Sequence, residues 1–93
     1  MYKSNKYYII EICNMGKSLG FIDYDHSSGG YPTLGPDYMA MQFSDQTRAK
    51  ENAVRDIKTL ATIKGLNINT MMFKILEYGC IRVVSQTSGG FYK

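Results

Sequence analysis

The stretch DYDHSSGGYPTLGPDY, residues 23–38, gathers groups able to move protons: Asp23, Asp25 and the chain's single histidine, His26, followed by Ser27 and Ser28. A histidine titrates near neutral pH, and a carboxylate beside it tunes that titration, which is the minimum for acid–base work. A serine nucleophile would use Ser27 or Ser28 with His26 as base. It would also need a group to orient the base and preorganised donors for the oxyanion. Adjacent residues in a loop rich in glycine and proline do not hold that geometry, so no catalytic residue is assigned. As a calcium loop, the stretch has Asp23, Asp25 and Ser27 in the first, third and fifth positions. Ser28 and Leu34 then stand where the helix–loop–helix motif needs glycine and a bidentate glutamate, so that reading fails too. What the stretch does hold is tyrosine among serine and glycine, the composition of adaptable binding surfaces. The expected partner-binding residues are Tyr24, His26, Tyr31 and Tyr38, with Tyr7 and Tyr8 behind them.

Other motifs are weaker. MGKS (15–18) ends like a phosphate loop, but Glu11 stands where that motif needs its first glycine, and a strand pattern follows instead of a helix. Cys13 and Cys80 lie in apolar strand-like segments, which suits small buried residues with reduced thiols. One histidine cannot complete a zinc set with them, so neither a metal nor a cofactor is expected. The net charge of +3, from eleven basic and eight acidic residues, excludes a decoy that imitates DNA. A basic helix face carrying Arg48, Lys50, Arg55, Lys58 and Lys64 leaves nucleic acid as an alternative partner. Glu51 and Asp56 interleave with these cations, and pairing of Glu51 with Arg55 would give an ordinary solvated face.

The elements that must position these residues follow from periodicity. KYYIIEICN (6–14) and SLGFIDY (18–24) alternate as strands, joined by a tight turn at MGK (15–17) into an antiparallel hairpin. Gly20 marks a bulge or a close backbone approach. A loop is expected over residues 25–37, then a short third strand, or an extended approach to the helix, near YMAMQFS (38–44). Ser44 and Asp45 are N-cap candidates for a helix that runs to Lys64 and stops at Gly65. Its stripe is Ala49, Ala53, Val54, Ile57, Leu60 and Ala61. TMMFKILE (70–77) and CIRVVSQ (80–86) read as strands of a second hairpin, with a helical turn through 70–77 as the competing reading, and residues 87–93 as a loose tail. The expected fold is a single α+β domain: an antiparallel sheet of four to five strands, in the order β-β-(β)-α-β-β, with one helix on one face. One helix covers one face, so the other is polar or is covered by a partner.

The layout resembles small accessory proteins encoded in bacteriophage genomes: an aromatic hairpin (YYIIEI, GFIDYD), a Gly-Tyr-Pro loop (SGGYP), an approach (AMQFSD) and a helix containing Ala49. The likeness covers about residues 7–62. It implies a non-enzymatic protein that binds a bacterial host protein, such as a component of antiviral defence, and blocks it sterically in the host cytoplasm. It carries no residue-level function. No signal-peptide pattern is evident, and no apolar run reaches the ~18–20 residues that span a bilayer. Two further uses of the open sheet face are self-association and sequestration of a small ligand by an oligomer.

Overall fold

The computed structural model describes residues 6–25, 30–78 and 82–88. The strands β1 (Tyr7–Asn14), β2 (Lys17–Asp25), β3 (Tyr31–Gly35), β4 (Met71–Tyr78) and β5 (Arg82–Ser88) form one sheet in the order β3-β2-β1-β4-β5. Every neighbouring pair is antiparallel. The helix α1 (Gln46–Lys64) packs on one face, giving the α+β architecture that the periodicity predicts.

Alternation along the strands sorts side chains to two faces. Toward α1 point Ile10 and Ile12 of β1, Ile22 of β2, and Met71, Phe73 and Ile75 of β4. They close over Ala49, Ala53, Ile57, Leu60 and Ala61, all buried, with Val54 half-buried at the margin. The small alanines let the helix backbone approach the sheet, and the isoleucines fill the space between. On the far face a smaller cluster forms around Ile9, Ala40 and Leu76, flanked by Phe21 and Tyr78.

The β1–β2 turn is tight because Met15 and Gly16 both take positive φ, 51° and 79°, as a two-residue hairpin loop requires. The bulge expected at Gly20 is present. Ile12 opposes Gly20 while Cys13 opposes Ser18, so Leu19 is the extra residue. Gly20 also meets the close-approach reading: a Cβ there would lie 3.1 Å from the Gly35 carbonyl oxygen.

The third strand differs from expectation. It is Tyr31–Gly35, inside the stretch expected to be a loop, and not residues 38–44. Pro32 is compatible with it because β3 is an edge strand, and a missing N–H can face away from the ladder. Residues 37–39 form a 3-10 turn instead, and residues 40–44 make the extended approach to the helix. That segment passes from one side of the sheet to the other where β1 and β2 diverge. The Met41 N–H bonds the Ile22 carbonyl, and Tyr8 and Phe43 exchange two backbone hydrogen bonds of 2.7 and 2.9 Å. Ala40 thus belongs to the far-face cluster and Phe43 to the helix-side core.

Asp45, of the two cap candidates, caps α1 by accepting from the Thr47 N–H at 2.9 Å, and Gly65 closes it in the left-handed conformation. The strand expected over residues 70–77 is Met71–Tyr78, preceded by a 3-10 turn at Ile68–Thr70. Strand β5 extends to Ser88, so Thr87 and Ser88 belong to the sheet and not to a tail. Residues 89–93 lie outside the described residues. No helix among the described residues is long and apolar enough to cross a membrane.

Candidate binding site

Asp56 breaks the apolar stripe of α1. It sits three or four residues from Ala53 and Leu60, on the side of the helix that faces the sheet, and is 2% exposed. A carboxylate so placed must be paired, and two groups meet it. The Tyr24 hydroxyl, from β2, donates to Asp56 Oδ2 at 2.5 Å. The Arg55 Nε donates to Asp56 Oδ1 at 3.0 Å. Burial, then the bond to Asp56, pushes the Tyr24 phenol well above its ordinary range. The same carboxylate holds the Arg55 guanidinium further toward its charged form. Arg55 therefore pairs with Asp56 and not with Glu51, the expected partner four residues back.

Beside this pair opens a cleft of about 600 Å³. Helix α1 contributes Arg48, Asn52 and Arg55, the β2–β3 hairpin Tyr24 and Gly30, and the crossing segment Met41, Gln42, Phe43 and Ser44. The helix sets the spacing: at about 100° per residue, Arg48 and Arg55 fall almost on one line with Asn52 between them. Asn52 Nδ2 also donates to the Arg48 carbonyl at 3.1 Å. The guanidinium of Arg48 has no ion-pair partner among the described residues. Among the described residues, both charged side chains lining the cleft are thus cationic, and Asp56, the nearby anion, is buried beneath Tyr24 and Arg55.

The chain has no match among known protein families, curated proteins or solved structures. The site is therefore read from its own chemistry.

The structure separates the expected partner-binding tyrosines by face. Tyr7 and Tyr31 project on the side away from α1, and Tyr38 stands on the 3-10 turn that packs there. They are 40%, 60% and 72% exposed. Tyr8 and Tyr24 point toward α1 and are half-buried against the main core. His26, Ser27 and Ser28 lie outside the described residues. Asp23 and Asp25 sit on β2 opposite Thr33 and Tyr31 of β3. The expected basic face divides as well. Lys50 lies about 160° around α1 from Arg48, and Lys58 and Lys64 lie away from the Arg48–Arg55 line. Asn52, Asp56 and the cleft residues 41–44 were not singled out from sequence. Asp56 alone left a readable signal, an acid in register with the apolar stripe.

Cys13 is a free, buried thiol, pushed above its usual range by burial and then by Glu11. Cys80 lies outside the described residues. Among the described residues no group of three or more His, Cys, Asp and Glu is placed to hold a metal ion.

Proposed function

We propose that this protein is a non-enzymatic binding module that occupies a functional surface of a bacterial host protein. The observation that carries the reading is the exposure of Tyr7, Tyr31 and Tyr38 on the sheet side that has no helix layer, with Met39, also exposed, next to Tyr38. Single exposed apolar residues are ordinary, but several rigid aromatics on one side of a sheet form the kind of surface that anchors a partner. Their backbones are fixed. Tyr7 and Tyr31 are in strands, and the turn bearing Tyr38 is held by Ala40 against Ile9 and Leu76. Glu11 opposes Lys74 on the same face, supplying polar contacts around the aromatics. Each tyrosine brings a large area at the cost of few rotatable bonds and presents a hydroxyl at its end. Binding of this kind blocks a partner by volume and needs no reacting group. The bacterial host enters through the layout shared with phage accessory proteins.

The test is affinity capture from nuclease-treated bacterial lysate with the native chain and with Tyr31→Ala/Tyr38→Ala. A host protein retained by the native chain and lost with the doubly substituted one is the expected result. Equal recovery with both would overturn the reading.

A further inference from the structure

We propose that the cleft between the first half of α1 and the β2–β3 hairpin binds a nucleoside phosphate, with Arg48 and Arg55 on the phosphate and the ring held by flat and polarizable side chains. The inference uses a different surface from the exposed tyrosines and does not depend on them. The cavity, about 600 Å³, falls within the range of small-molecule sites. Its charge favours anions, since among the described residues Arg48 and Arg55 are the charged ones that line it.

The arginines are prepared for different tasks. A guanidinium has five N–H donors in a planar fork. Asp56 takes the Nε of Arg55 and so fixes that side chain, which stays largely exposed beside the cleft. Arg48 forms no ion pair within the described fold, so all of its donors are available. Two forks on one helical line suit a phosphate, which accepts from several directions at once.

A bare anion would leave the rest of the lining unused. Met41, 40% exposed, lines the cleft and offers a polarizable thioether, and Tyr24 lines it too. Such surfaces take a planar ring. Gln42 and Asn52 add amides, each able to donate and accept, which is what the polar edge of a nucleobase needs. Phosphate, ring and base edge together define a nucleotide, either free or within a single strand.

Calorimetric titration of the full chain tests this with 5′-AMP, 5′-GMP, their nucleosides, inorganic phosphate and a short single-stranded oligonucleotide. At least one monophosphate is expected to bind with a Kd below about 1 mM. Its nucleoside and inorganic phosphate should each bind at least about tenfold more weakly. Arg48→Gln should weaken the monophosphate by about tenfold with an unchanged melting temperature, because that side chain forms no ion pair among the described residues. Gln42→Ala, a second exposed position in the lining, should weaken the monophosphate but not inorganic phosphate. An oligonucleotide that binds more tightly and keeps its dependence on Arg48 would support the site and identify a strand as the source. Absence of binding by either monophosphate, equal binding of inorganic phosphate, or indifference to Arg48→Gln would each overturn it.

Discussion

Tyr24→Phe removes one oxygen and leaves Asp56 Oδ2, 2% exposed as a residue, without its donor. A buried acceptor stranded in this way costs about 1–3 kcal/mol, to be read as a lower urea midpoint at pH 7. The same bond sets a pH dependence. The phenol is held protonated in the native protein, while in the unfolded chain it ionises near pH 10. The unfolded chain therefore binds fewer protons than the native one above about pH 10, and stability falls as pH rises. It is fully present below that pH. Urea titrations between neutral and alkaline pH should show the native chain losing stability above about pH 10 more steeply than Tyr24→Phe. Equal slopes would mean that Tyr24 is not the group concerned. At this scale the sequence was only partly readable. Tyr24 stood out as an aromatic beside a turn, but its partner lies 32 positions away on another element, and no local pattern joins the two. Asp56 could have been marked from its register with Ala53 and Leu60. Its counter-charge could not, because Glu51–Arg55 spacing is equally good on a helix surface and burial of Asp56 decides the choice.

Gly20 ties two elements together, and an added methyl shows how tightly. Its φ of 125° is one that other residues rarely take, and the new Cβ would meet the Gly35 oxygen at 3.1 Å and nitrogen at 3.2 Å. Both contacts are backbone, so relief requires the β3 edge strand to move. Gly20→Ala should cost about 1–3 kcal/mol and should loosen β3 first, seen as faster amide exchange in residues 31–35 than in β4. Uniform exchange across the sheet would refute that order. Elements governed by their own residues were legible: the helix from Asp45 to Gly65, the Met15-Gly16 turn, and the alternation of β1 and β4. The third strand was not. Pro32 and the flanking glycines speak for a loop, and only a place at the edge of the sheet, decided by the whole topology, makes YPTLG a strand. Residues 40–44 left two readings open, and the extended approach to the helix is the one that holds: they alternate like a strand, yet they cross from one face of the sheet to the other, so Ala40 and Phe43 serve different cores.

The crossing divides the molecule into two sides that share one scaffold. Away from α1 stand Tyr7, Tyr31 and Tyr38; on the helix side lies the cleft with Arg48 and Arg55. Substitutions more than about 7–10 Å apart with no shared partner act independently, and none of these five side chains forms an ion pair or hydrogen bond with another. The two proposals therefore predict a double dissociation. Tyr31→Ala/Tyr38→Ala should abolish capture of a host protein while leaving the affinity for a nucleoside monophosphate within about twofold, and Arg48→Gln should do the reverse. Both proteins should melt within a few degrees of the native chain, since exposed positions away from caps and cores change stability by only about 0.5 kcal/mol. Salt separates the sides again. Contacts to phosphate weaken steeply as salt rises, whereas a partner held by aromatic anchors loses little. If both substitutions impaired both activities, the segment at 40–44 would be the common cause. It carries Ala40 beneath the turn of Tyr38 and Met41 and Gln42 into the cleft. The sides would then be coupled through a single strip of backbone, with occupancy of the cleft shifting the turn that presents Tyr38. Titrating the nucleotide into the captured complex decides between these cases: independent sides leave host affinity unchanged, and a coupled strip changes it by the same factor that the host changes the nucleotide's.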